Sequence, residues 1–312
     1  MRSGPGTLLI LAGVLLFSFW GMPALLAAPA AADSFFFSTG TPDGRIATLS
    51  RQASPPSLET ETADDFILTQ ATSITHATFT GLLPLGSTST NVSNVEIEFY
   101  HVFPADSANP PSGNAPTRMN SPADVEIAAA TRDGTLGNLA FTPAIGSNFM
   151  AANSVVNGIH AFPNQTTGGE GPVTGLETVF NITFNTPVDL PADHYFFRPE
   201  VLLDNGNFLW LSAPRPIVGG TGPFVGDLQS WARNDGPPDG LAPDWLRIGQ
   251  DIVGGTNFPT FNATFSLTGD VVPEPSTVCL LAPALVGLGG MRWMMVRRRR
   301  PAVTRDKRSI RA

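Results

Sequence analysis

The chain has 312 residues, with 18 basic, 26 acidic and one cysteine, for a formal charge of −8. Ten of the basic residues lie at the two ends, so residues 33–270 hold 24 acids against eight arginines and no lysine, a formal −16. That acidic middle excludes nucleic-acid binding, which needs a basic surface, and adhesion to anionic lipid. Its lack of cysteine excludes disulfides, a catalytic thiol and cysteine–zinc sites, so its stability must come from a sizeable core.

In chain order, Met1 and Arg2 make a positive start and residues 8–19 an apolar core. The run Ala27-Ala28-Pro29-Ala30-Ala31-Ala32 then offers small-residue cleavage sites, the last after Ala32. This is the order of a secretory signal peptide. Residues 1–32 are expected to be that signal, helical in its apolar part, and residues 33–270 an exported body.

The body lacks any long stretch of 3.6-residue apolar period and shows short β-type runs between turn residues. Expected strands are 65–69 (DFILT), 74–81 (ITHATFTG), 95–103 (VEIEFYHVF), 178–184 (TVFNITF), 194–203 (HYFFRPEVLL), 208–212 (FLWLS) and 261–267 (FNATFSL). In Val95-Glu96-Ile97-Glu98-Phe99 apolar and acidic residues alternate, which predicts one buried and one solvated face. Seven short strands with Gly/Pro turns and no crossover helices predict an all-β fold, an antiparallel β-sandwich of jelly-roll type. Long loops are expected at 104–121, 163–175 and 214–243, with a short helix near 151–158. The sequence Ile217-Val218-Gly219-Gly220-Thr221 returns as Ile252-Val253-Gly254-Gly255-Thr256. Both copies read as a strand end entering a glycine turn.

Few residues carry the signature of chemistry. The four histidines, His76, His101, His160 and His194, show no metal-ligand spacing and no adjacent acidic motif. Glu96 and Glu98 share a strand face, as a glycosidase pair or a calcium ligand set could, though a solvated face is the plainer reading. Asp64 and Asp65, preceded by further acids, are the candidate calcium ligands, since calcium takes clustered oxygens. Trp210, Trp231 and Trp245 gather in the C-terminal third as candidate glycan-stacking residues. Core packing is the competing role for each. No resident cofactor other than calcium is indicated, and the chain is read as non-enzymatic.

The end of the chain is the most specific part. Val272-Pro273-Glu274-Pro275-Ser276-Thr277 is a short polar box, and its prolines deny the backbone donors of a helix or central strand. An apolar stretch over 278–296 follows, interrupted by Arg292, close to the ~20 residues of a membrane span. Arg297, Arg298, Arg299 and Arg300 then form a basic stop that would stay cytoplasmic. A basic polar tail covers 301–312.

Pro273-Glu274-Pro275, the apolar segment and the arginines together resemble the PEP-CTERM sorting domain of Gram-negative bacteria, over residues 271–300. The resemblance implies recognition by an exosortase, a membrane-embedded cysteine transpeptidase, in organisms that make exopolysaccharide. It implies a precursor held in the inner membrane by a transmembrane helix and then delivered to the cell surface or extracellular matrix. The expected role is structural or adhesive. The alternatives are a carbohydrate-binding module, or an exported polysaccharide hydrolase built on two close carboxylates.

Overall fold

The computed structural model describes residues 33–107, 115–159, 166–219, 226–235 and 244–273. The expected signal peptide and transmembrane helix, and the sorting residues Glu274, Pro275 and Arg297 to Arg300, lie outside the described residues. Pro273 is described and is exposed just past the last strand.

Alternating apolar residues pair into strands throughout. These are β1 (Ser34–Ser38), β2 (Ile46–Leu49), β3 (Glu59–Leu68), β4 (Thr72–Leu83), β5 (Val92–His101), β6 (Arg132–Asp133), β7 (Leu139–Ala151) and β8 (Asn153–Val155). Then come β9 (Val173–Leu190), β10 (Asp193–Leu203), β11 (Leu209–Ala213), β12 (Trp231–Asp235), β13 (Leu246–Arg247), β14 (Asn262–Ala263) and β15 (Phe265–Val271). Helix among the described residues is limited to a 3-10 turn at Ser89–Asn91 and a π-helical turn at Ile248–Val253. No helix among them is long and apolar enough to cross a membrane.

The strands form two sheets, one of nine strands and one of six. The first runs β1-β15-β4-β11-β2-β8, with β14 on β11 and with β9, carrying β7, on β4. The second runs β13-β12-β3-β10-β5-β6. Pairing is antiparallel except between β2 and β8. The fold is therefore all-β, with two antiparallel-rich sheets.

One apolar cluster draws on both sheets, joining Phe66, Ile97, Phe99 and Phe197 of the second to Phe79, Phe180, Trp210 and Phe265 of the first. The Phe197 and Phe265 rings stack at 4.9 Å, and Phe79 stacks on Phe180 at 4.8 Å. Aromatic rings bury large areas, and offset pairs add to that burial. This core explains how the body stands without a disulfide.

Six of the seven expected strands are present as single strands, several of them longer, while 261–267 is broken at Thr264 into β14, which pairs with β11, and β15, which pairs with β4 and β1. β3 starts at Glu59 rather than residue 65, because Glu59-Thr60-Glu61-Thr62 continues the same alternation with polar residues. The expected helix at 151–158 is instead β8, whose Asn153–Val155 pairs in parallel with Ile46, Ala47 and Thr48. The expected loop over 214–243 contains β12, which pairs with β3 from Trp231↔Ala63 to Asp235↔Glu59. The second glycine echo follows the π-helical turn rather than a strand, with Gly254 and Gly255 at φ of 71° and 93°.

Candidate functional site

The outward row of the second sheet is polar, and its register sets the charges side by side. Arg198 on β10 lies opposite Glu98 on β5, and Glu200 lies opposite Glu96. On the other flank, Arg233 on β12 lies opposite Glu61 on β3. The chain then covers this row. Trp245 donates its indole N–H to the Ala123 carbonyl (3.0 Å), and Arg233 donates from Nη1 to the Asp124 carbonyl (3.0 Å). Trp245 also lies under the Arg233 guanidinium, 4.5 Å from its ring centroid. Glu98 is consequently only 8% exposed and Glu200 fully buried. The solvated face expected at Glu96 and Glu98 is covered at Glu98 and half-buried at Glu96.

Arg198 is the centre of this network. Its Nη2 reaches Glu98 at 2.6 Å, Glu61 at 2.8 Å and Glu59 at 3.2 Å, while Nη1 lies 2.6 Å from Glu200. The Glu200 contact, made to Oε2, is close but poorly aligned, and neither Glu200 oxygen accepts a hydrogen bond among the described residues. The Tyr100 hydroxyl lies 2.5 Å from Glu98 and 3.0 Å from Glu61. Arg233 closes the set through its Nε on the second oxygen of Glu61.

This geometry splits the carboxyls. Burial works against the charge of Glu61, but Arg233 and Arg198 overcome it and hold the carboxyl at about 2. Burial pushes Glu96 up to about 7, with Glu98, Asp133 and Glu59 adding to the rise against Arg198. Glu98 and Glu200 are also raised, chiefly by burial.

The candidate calcium ligands are placed against that role. Asp64 and Asp65 are 0% and 2% exposed, on opposite faces of β3. Asp64 accepts from the Ser230 hydroxyl (2.8 Å) and the Ala263 N–H (3.0 Å). Asp65 accepts from the Leu228 N–H (2.9 Å) and pairs with His194 Nε2 (2.6 Å). Each carboxylate oxygen already has a protein partner, which leaves no vacant oxygen pair for an ion that wants six to eight. Burial, with the neighbouring Asp65 charge, pushes Asp64 well above the usual carboxylate range. No group of three metal-ligating side chains occurs among the described residues.

The three tryptophans are core residues, each no more than 1% exposed. Trp210 donates to the Thr264 carbonyl (2.8 Å) inside the aromatic core, and Trp245 sits beneath Arg233. Their ring faces are packed against protein, so none offers a platform for a sugar ring.

Comparison with protein-family models, curated proteins and solved structures found no match to this chain. The site must therefore be read from its own chemistry.

The close carboxylates that a polysaccharide hydrolase needs exist, as Glu61 and Glu98 bridged by Tyr100 and Arg198. Glu61, held at about 2, and Glu96, pushed up to about 7, also show the split of an acid–base pair. Both oxygens of Glu61 are nonetheless engaged, by Arg198 with Tyr100 on one side and Arg233 on the other. What this arrangement does is tie four strands together. Its sequence signal was Glu59-x-Glu61, Glu96-x-Glu98 and Arg198-x-Glu200, three charged pairs at the two-residue period of a strand. The pair His194–Asp65 spans 129 positions and left no local signal.

Proposed function

We propose that this chain is an exported structural or adhesive component of the cell envelope or exopolysaccharide matrix, delivered by a PEP-CTERM-like tail. Its body is a β-sandwich of jelly-roll type that supplies a rigid, disulfide-free module. The observation that carries the reading is the order of the tail itself: Pro273-Glu274-Pro275, an apolar membrane-length segment, then Arg297 to Arg300. Two features of the body support it. β15 ends at Val271, and Val272 and Pro273 beyond it are exposed, so a recognition sequence beginning there is within reach of a membrane enzyme. Glu59, Glu61, Glu98 and Glu200 of the second sheet are engaged by Arg198 and Arg233, which suits cohesion of the module better than turnover of a substrate.

The test is mass spectrometry of the protein's C-terminus, isolated separately from membranes and from extracellular matrix of the native host. A terminus within residues 273–277 in the matrix fraction is expected. Replacing Pro273, Glu274 and Pro275 by alanine should leave the chain uncut in the membrane. An intact end at Ala312 in every fraction would make the tail a plain anchor and overturn the sorting reading.

A further inference from the structure

β1 is an end strand of the nine-stranded sheet, bonded to β15 on one side only. Just outside its two ends, the Asp33 carbonyl accepts from the Val271 N–H (2.7 Å) and the Thr39 N–H donates to the Phe265 carbonyl (3.0 Å). In an antiparallel ladder, residues that bond a given neighbour alternate with residues that do not. Phe35 and Phe37 therefore bond β15, and the N–H and C=O groups of Ser34, Phe36 and Ser38 point to the free edge. None of these groups meets a hydrogen-bond partner among the described residues.

An open edge is a template for another strand, and proteins blunt it with charge, proline, a bulge, a short length or a cover. The other end strands are blunted in these ways. β6, β13 and β14 have two residues each. β7 carries Pro143 and a register shift between Ile145 and Asn148. β8 has three residues and is covered, with the Glu170 N–H donating to the Ser154 carbonyl (2.9 Å). β1 uses none of these devices. Its five residues, Ser34-Phe35-Phe36-Phe37-Ser38, include no charge and no proline. The middle one, Phe36, is 70% exposed.

The strand's own sequence says what fits there. Ser-Phe-Phe-Phe-Ser reads the same in both directions, so an antiparallel copy meets it in register about Phe36. Phe36 is one of the residues with free backbone groups. A two-fold axis beside it then gives a hydrogen-bonded Phe36–Phe36 pair flanked by two Ser34–Ser38 pairs. The two Phe36 rings share the outer face. On the inner face Phe35 of one copy lies opposite Phe37 of the other, and both rings already pack on the apolar cluster.

We infer that β1 is an interface between two copies of this chain, joined edge to edge by an antiparallel β1–β1 pairing centred on Phe36. This goes beyond the envelope role proposed above and does not depend on the tail. The contact is small, so the dimer is weak and forms with rising concentration. Two bodies of formal charge −16 repel, so the dimer tightens as salt screens them.

Sedimentation equilibrium of the full chain in density-matched detergent would follow dimer formation between roughly 0.05 and 0.5 M salt. A monomer–dimer equilibrium is expected, tighter at the higher salt. Phe36→Lys puts a charge on the edge and should weaken it by about tenfold or more. Its unfolding transition should be unchanged, because the side chain is exposed. Crosslinking locates the pairing. In a Cys279→Ser background, Phe36→Cys should form a disulfide between copies, since bonded pairs hold their Cα atoms about 5.5 Å apart. Thr268→Cys is the control, lying opposite Phe36 on β15 and one strand further from the axis in each copy. Its two Cα atoms would stand about 15 Å apart, too far to bridge. A monomer at every concentration, a dimer undiminished by Phe36→Lys, or equal crosslinking through Thr268→Cys would overturn the inference. Association through the apolar tail alone would give the second of these results. None of them touches the sorting reading, which is judged at the C-terminus.

Discussion

At Arg198 a single fully buried guanidinium faces Glu59, Glu61, Glu98 and Glu200 within 3.2 Å. Removing it would leave buried carboxylates facing one another with Arg233 as the remaining cation of the network. Breaking a buried ion pair from one side typically costs about 3–5 kcal/mol, because the abandoned charge stays desolvated. Arg198→Met should therefore lower the unfolding free energy by roughly 3–5 kcal/mol in urea titration. Arg215, 36% exposed, ion-paired with Asp227 and lying over the Phe37 ring at 4.7 Å, is the comparison. Arg215→Met should cost less than about 1 kcal/mol, as exposed pairs do. Equal losses from the two would mean that the network contributes no more than a surface contact. At this scale the sequence was least informative. Nothing in Asp64-Asp65 discloses that β3 is covered on both faces, and three tryptophans near loops look the same on paper whether buried or not. Burial of a polar residue is decided by what folds over it.

At the level of strands, alternation did most of the work, and its failures have physical causes. β7 went unrecognised because Pro143 and Gly146 interrupt its pattern. It pairs only with β9, and an edge strand can carry a proline that a central strand could not. β12 was hidden in a segment rich in Gly and Pro, and is fixed by its pairing with β3 rather than by local preference. β4 shows the opposite case, a central strand with a glycine inside it. A side chain at Gly81 would overlap the Phe208 ring and the Leu209 carbonyl, so the residue marks a close approach of β11. Gly81→Ala should destabilise the protein by about 1–3 kcal/mol, the usual cost of overpacking. A pair of residues can relieve it: Phe208→Leu in the same chain should recover part of the loss in thermal unfolding, by freeing space where the ring stood. If Gly81→Ala matches the wild type, the approach of β11 to β4 is looser than described.

For the molecule as a whole, the buried carboxyls set the pH of greatest stability. Glu96 is pushed up to about 7 and Asp227 to about 6, in both cases first by burial, and Asp64, Asp65, Glu98 and Glu200 are raised as well. A carboxyl raised on folding holds its proton better in the native state. Its contribution is complete below the ordinary carboxylate value of about 4.3 and is lost as pH climbs through the folded value. Glu61, held at about 2, behaves oppositely: its contribution is present above the ordinary value and is lost as pH falls toward 2. The raised groups outnumber the lowered ones in this core, so thermal stability should peak near pH 4–5 and decline toward pH 8, below the more usual optimum of about pH 5–8. General repulsion in a body of formal charge −16 pulls the same way, and must be separated from it. Working at roughly 0.15 M salt confines exposed charges to a screening length of about 8 Å. Glu96 then discriminates, because it faces Arg198, Glu98, Asp133 and Glu59 and accepts from Gln52 at 3.2 Å. Glu96→Gln should flatten the decline between about pH 4.3 and about pH 7 while leaving the acid limb, governed by Glu61, in place. A melting temperature that rises from pH 5 to 8, or an alkaline limb unchanged by Glu96→Gln, would mean that Glu96 is solvated and ionised like the strand-face residue its alternating sequence suggests.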